Sequence, residues 1–217
     1  MDEADKPPIS QTPPGDTARD LGDYRVGMDR APAQTTYLLV DGENIDATLG
    51  SNIFGGRRPS PQERPRWERV RDFASETWDR PVKALFFLNA SSGQLPLPFI
   101  QALLALDYQP IPLSGSTGEK VVDIGIQRTL DALVDRPGDV LLASHDGDFF
   151  EQIERLLDGT RRVGLLGFRE FVNSRFTELT ADGLEIYDLE DDVRCFNARL
   201  PRVRIINIDR FDPLPYL

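Results

Sequence analysis

One cysteine, Cys195, and one histidine, His145, stand in a chain of 217 residues. A lone thiol excludes an internal disulfide framework and any all-cysteine zinc site. A lone imidazole excludes sites that need several. No apolar run approaches the roughly 20 residues of a membrane helix, so no membrane partner is expected. The first residues, MDEADKPPIS, are acidic and proline-rich, unlike a signal or transit peptide, and a cytoplasmic location is the expectation. Basic residues are scarce as well: 25 against 36 acids, for a net charge of −11. That balance argues against general sheathing of nucleic acid by a basic surface. It leaves room for a nuclease that works through carboxylates and cations.

What is present begins with a tail. Residues 1–34 hold seven acids and four bases, five helix-breaking Pro and Gly residues between positions 7 and 15, and few apolar side chains. Such a segment cannot offset its ordering entropy and reads as a flexible acidic tail, with local docking around 24–28 as its one chance of order. From residue 36 short apolar runs alternate with helical stripes. Strands are expected at 36–41, 82–89, 109–113, 139–144 and 161–168. Helices are expected at 68–78, 97–106, 120–134, 149–157 and 170–179. Late strands are expected at 184–189 and 203–208. Strands alternating with helices predict an α/β fold with a mainly parallel sheet covered on both faces. Sites in such sheets lie beyond the carboxyl ends of the strands, at the topological switch point.

Three acidic clusters stand where that rule points. Asp41-Gly42-Glu43-Asn44 follows LLV. Asp123 opens a helix, one turn after Lys120. Ser144-His145-Asp146-Gly147-Asp148 follows VLLA. Asp41 and Asp146 each follow an apolar strand directly, so their carboxylates meet if the two strands are neighbours. Crowded carboxylates raise one another's pKa unless a cation is present. Oxygen donors without His or Cys suit Mg²⁺ or Mn²⁺ rather than zinc. Such ions can hold a scissile phosphate and lower the pKa of a bound water, which points to phosphodiester hydrolysis. Each acid also has a structural reading. Asp41-Gly42 fits a turn, Asp123 a helix start, and Asp148 with Glu151 a capping box, whereas Asp146 has no comparable structural excuse. DGDFFEQIE lacks the glycine and the spaced oxygens of a calcium EF-hand loop.

LLVDGENID, EKVVDIGIQRTLDAL and VLLASHDGDFFEQI, in that order, resemble the NYN family of PIN-like nucleases, as does the later RRVGLLGF…FTELTADGLEIYDL. The resemblance covers about 37–188. It implies a PIN-like α/β/α sandwich and metal-dependent ribonuclease activity on RNA. It also implies metal ligation by the catalytic acids Asp41, Asp123 and Asp146, with Asn44, Asp148, Ser144 and Lys120 in support. Members often carry a further helix acid where this chain has Thr129, and Asp131 lies about 200° around the helix from it. Family members without demonstrated cleavage keep a purely binding module open as an alternative.

The chain then divides into a tail at 1–34, the domain at 35–189 and an extension at 190–217 that packs on the domain or joins a homodimer. Residues 55–71 form a basic island with Arg57, Arg58, Arg64 and Arg66, candidates for RNA phosphates. Trp67 is a candidate for base stacking or for capping the core beside Val70. The Gly/Ser loop at 113–118 could offer amides to phosphate but has no P-loop pattern. His145 is expected to orient its neighbours or face solvent, and Cys195 to be a buried thiol. Two other classes are disfavoured. A phosphatase would need an Asp-x-Asp nucleophile after the first strand, and a Toprim-like DNA enzyme would prefer Glu at position 41.

Overall fold

The computed structural model describes residues 35–203, 206, 208–214 and 217. The tail expected at 1–34 lies outside the described residues. The first strand, β1, is Thr36–Asp41, and a helix, α1, Gly42–Thr48, follows it without a linker. Asp41 caps that helix, its side chain accepting the Asn44 amide at 3.0 Å. The Asp-Gly pair is therefore a strand-to-helix junction. Gly42 is needed there for space: a Cβ would stand 2.7 Å from the Phe86 ring. After α1 come a π-helical turn (Leu49–Ile53), α2 (Trp67–Trp78), β2 (Val82–Asn89), α3 (Leu97–Ala105) and β3 (Tyr108–Leu113). The second half holds α4 (Val121–Val134), β4 (Asp139–Ala143), a 3-10 turn (Gly147–Phe149), α5 (Phe150–Leu156), β5 (Val163–Gly167), α6 (Ser174–Glu178) and β6 (Glu185–Asp188).

The six strands form one parallel sheet in the order β3-β2-β1-β4-β5-β6. The order reverses direction between β1 and β4, so the switch point lies where Asp41 and Ser144 leave their strands. Strand alternation sorts the core into two layers. Leu38, Val40, Phe86, Leu141 and Ala143 face α1, α2 and the residues after β6. Leu39, Phe87, Val140 and Leu142 face α4, α5 and α6. The same alternation sends Asp41 and Ser144 to the α4 side and His145 to the α1 side. Together the layers make a PIN-like α/β/α sandwich. No helix among the described residues is long and apolar enough to cross a membrane.

The helix expected over 170–179 is divided. A 3-10 turn (Arg169–Phe171) ends in extended Val172, and Asn173 then caps α6 by accepting the Arg175 amide at 3.1 Å. A short polar cap thus outweighs the apolar periodicity. Part of the strand expected at 203–208 (Arg204, Ile205 and Asn207) lies outside the described residues. Val203 and Ile206 are not in a strand, and Ile208 opens a 3-10 turn.

Residues beyond β6 add to the α2-side core through Val193, Cys195, Phe196 and Leu200. Their anchor is Asp188, fully buried. One of its carboxylate oxygens accepts the amides of Glu190 and Asp191, the other the Arg169 amide and the Arg202 guanidinium at 2.5 Å. Arg202, 3% exposed, also contacts Glu170 and Glu190 and lies over the Phe168 ring. Burial alone would raise the Asp188 carboxyl, but Arg202 and the amides outweigh it and hold it below the ordinary range. Removing one partner of such a buried pair leaves the other uncompensated. Arg202→Leu should therefore lower the unfolding free energy by about 3–5 kcal/mol, read from urea denaturation. Because the folded pKa is depressed, the contribution of Asp188 is full above about pH 4 and fades as pH falls through its folded value. An unmoved urea midpoint in the variant would contradict this anchoring.

Candidate metal centre

The carboxyl edge of the sheet carries a cleft of about 480 Å³ lined by residues that include Asp41, Glu43, Asn44, Lys120, Asp123 and Asp146. Four elements supply them: β1 and α1, the start of α4, and the residues just after β4. Asp123 stands in the first turn of α4, whose amide ends favour a carboxylate. Asp146 and Asp148 sit on the turn that opens α5. Carboxylate oxygens of Asp123, Asp146 and Asp148 all lie within 4.8 Å of one another.

Lys120 is the cation of the site. Its Nζ donates to Asp148 Oδ2 at 2.8 Å and lies 3.2 Å from Asp123 Oδ2. Its pKa is raised by these two carboxylates, Asp148 first. Asp148 is thus more than a helix cap. Asp146 takes the capping role instead, accepting the Asp148 amide at 3.0 Å. The capping box expected between Asp148 and Glu151 does not form: Phe149 caps α5 without a side-chain bond. The structural role that Asp146 was expected to lack is present, because the chain makes a 3-10 turn before the helix begins.

Asp41 lines the same cleft from a buried position and stands apart from that trio. Its Oδ1 accepts the Asn44 amide, and its Oδ2 accepts the Ser144 hydroxyl at 3.1 Å. The Ser144 hydroxyl in turn accepts the Asp146 amide at 3.3 Å. Asn44 Oδ1 accepts the His145 amide, also at 3.3 Å. These bonds tie the end of β1 to the end of β4. Burial pushes the Asp41 carboxyl up to about 6. The Asn44 and Ser144 hydrogen bonds oppose the rise, and the charges of Asp123 and Glu43 add to it.

His145 is buried, not solvent-facing. Its Nε2 pairs with Thr48 Oγ1 at 2.9 Å, and its ring meets Phe168 edge-on. Burial pushes it down to about 4 against the nearby charge of Asp146, so the ring is neutral at pH 7. Thr129 donates its hydroxyl to Gly125 O at 2.8 Å, and Asp131 pairs with Arg155 at 2.5 Å. The buried Cys195 thiol is pushed up by desolvation and donates to Leu189 O.

The basic island is divided in its duties. Arg57 is bidentate to Glu63 (2.6 and 2.8 Å) and lies over the Phe54 ring. Arg64 gives Nε to both oxygens of Asp46 (3.0 and 3.1 Å). Arg58 and Arg66 form no ion pair among the described residues. Trp67 is not free to stack on a base: it is buried edge-on to Phe86, ring centres 5.0 Å apart. An alternative expected at sequence level, capping of the core, is the arrangement found.

Sequence reasoning assigned no role to Glu43 or Asn89. Glu43 reaches the rim because α1 begins at Gly42, and a seven-residue helix with Gly, Glu and Asp in it carries little periodic signal. Its carboxyl is raised, first by partial desolvation, with the Asn89 amide opposing and Asp123 adding.

The donor set fits a hard divalent cation. It is all oxygen, it converges, and it already holds one ammonium as a stand-in charge. Asp123, Asp146 and Asp148 could coordinate Mg²⁺ or Mn²⁺.

A parallel α/β/α sandwich with acids at its switch point is consistent with the PIN-like class. The chain belongs to the NYN domain family, whose model matches residues 35–185. A protein of unknown function from Vibrio parahaemolyticus RIMD 2210633 is similar in fold. It is 18% identical, with a TM-score of 0.58, over 76% of this chain and 98% of that one. No curated protein matches.

Asp41 and His145, both buried, oppose one another in pH. Between about pH 4 and 6 the folded chain binds more protons at Asp41 than the unfolded chain does, so that stability falls as pH rises. His145, depressed from an imidazole value near 6.5, makes stability rise between about pH 4 and 6.5. Asp41→Asn removes only the first effect. In metal-free buffer the stability of the variant relative to the wild type should climb from pH 4 to 6 and then level off. A flat difference in urea titrations would refute the burial effect on Asp41.

Proposed function

We propose that this chain is a metal-dependent ribonuclease that hydrolyses RNA phosphodiester bonds. The observation that carries the reading is the convergence of Asp123, Asp146 and Asp148 beside buried Asp41 at the switch point of the sheet. Asp123 and Asp146 would hold Mg²⁺ or Mn²⁺ together with Asp148, and Asp41 would join them from the buried side of the same cleft. When bound, such an ion neutralises phosphate charge and lowers the pKa of a water.

The remaining tasks belong to the chain. Ser144 and Asn44 hold the Asp41 carboxylate in one orientation and join it to the β4 end. Lys120 is exposed and bonded to Asp148 and Asp123. With a cation on those acids, its ammonium is available to a phosphate oxygen. Arg58 and Arg66 supply further contacts to phosphate, and Arg57 does so while anchored by Glu63. Water is the nucleophile, leaving a 5′-phosphate and a 3′-hydroxyl. Cys195 is buried and protonated and His145 is buried and neutral, so neither is poised for covalent attack. Asp146→Asn should lower Mn²⁺-dependent cleavage of RNA by the full-length chain at least about 100-fold, the equivalent of several kcal/mol of electrostatic stabilisation. Cleavage at the wild-type rate would overturn the mechanism.

One observation favours a second reading, an RNA- or protein-binding module that cuts poorly. Helix α4 offers the cleft one carboxylate, Asp123, since Thr129 is bonded to its own helix and Asp131 to Arg155. Turnover of many RNA molecules per protein, lost in Asp146→Asn, would dismiss it. Tight binding without turnover would establish it.

A further inference from the structure

A second pocket, about 530 Å³ and mainly apolar, opens beside the acidic cleft at the carboxyl end of β2. Its walls include Trp67, Phe86, Leu88 and Phe99, and its mouth carries Glu43 and Arg64. Alternation along β2 explains why the two depressions lie side by side. Phe86 and Leu88 point to the α1 and α3 side, whereas Asn89 points to the acidic side. Glu43, the first side chain of α1, borders both.

The pocket has the chemistry of a site for a flat, polar-edged ring. Phe99, half-buried, gives the pocket its aromatic wall, backed by the buried rings of Phe86 and Trp67, which meet edge-on with centres 5.0 Å apart, Phe99 lying 5.3 Å from Phe86. Its volume exceeds one nucleobase and falls within the range of small-molecule sites. At the mouth Asp46 binds Arg64 through Nε alone. The two terminal nitrogens of Arg64 make no hydrogen bond among the described residues, and they are fixed by that anchor as ready donors. Glu43 supplies acceptors. Single-stranded RNA is read in this way: an unstacked base lies on aromatic side chains and is hydrogen-bonded along its edge. Guanine suits this mouth best, offering N1–H and N2–H to a carboxylate and O6 to a guanidinium.

We infer that this pocket receives an unpaired base, guanine by preference, of the RNA strand whose phosphate lies in the acidic cleft. The inference rests on the RNA reading above and adds the substrate's sequence to it. The strand crosses the carboxyl edge of the sheet at Glu43, placing a base on one side and the phosphate on the other. Trp67 contributes as a wall behind Phe86 rather than as a stacking platform.

The test uses the full-length chain in EDTA, which withholds the cation the proposed cleavage needs, and fluorescein-labelled uridine heptamers read by anisotropy. One heptamer carries a central guanosine, a second a central abasic residue. The guanosine should bind about tenfold or more tightly than the abasic form. Arg64→Gln and Phe99→Leu should each reduce that ratio below about twofold, the size expected once a stacked or hydrogen-bonded base is lost. Arg64 is 40% exposed, so its variant keeps the test decisive if Phe99→Leu fails to fold. Equal binding of the two heptamers, or a ratio that survives Arg64→Gln, overturns the pocket. Mn²⁺-dependent cleavage of the same heptamers is scored separately. Discrimination without cleavage removes the nuclease and leaves the base pocket, whereas cleavage without discrimination does the reverse.

Discussion

The pairing of β1 with β4 is the constraint on which the rest depends. Parallel strands cannot be joined by a tight hairpin, so each needs a crossover helix. Two such chains of crossovers leave β1 in opposite directions, toward β3 on one side and β6 on the other. The edge where they part carries the acidic cleft. Val40 stands opposite Ala143 in the ladder, so Asp41 and Ser144 leave the sheet side by side and bond to each other. A one-residue slip in that register would turn one of them to the opposite face.

That arrangement concentrates charge and then manages it. Asp41 is buried and raised, Asp123, Asp146 and Asp148 crowd together, and Lys120 answers part of the charge. The net charge of −11 therefore describes the surface poorly as a guide to binding. Several acids belong to one rim, where a cation would offset them. Other acids neutralise arginines of the basic island, Glu63 on Arg57 and Asp46 on Arg64. The same pairings give those arginines fixed directions, which a flexible basic loop would lack.

Much of the fold was legible because buried parallel strands are short, continuous apolar runs. TYLLVD, VKALFFLN and VLLA read as strands without help from neighbours, and the acids after the first and third read as strand-end groups. Helix α4 was legible from its stripe of Val122, Ile126, Leu130 and Leu133. Helix α1 was not. Its sequence, GENIDAT, has turn formers and acids, and it holds only because Asp41 caps it and Ile45 is buried against the sheet. The same packing hid Glu43. Asp148 and Lys120 lie 28 residues apart, a distance at which local pattern is silent.

The amino-acid sequence by itself determined the alternation of strands and helices, the identity of the acids at the strand ends, and the all-oxygen character of the donor set. These follow from local hydrophobic period and side-chain chemistry. Tertiary structure alone decided which acids meet, which arginine is held by which carboxylate, that Trp67 is a wall and His145 a buried brace, and that an aromatic pocket adjoins the acidic cleft. Those outcomes depend on strand order and on the face to which each side chain points. Both are set by the global burial of apolar surface, which no short window of sequence contains.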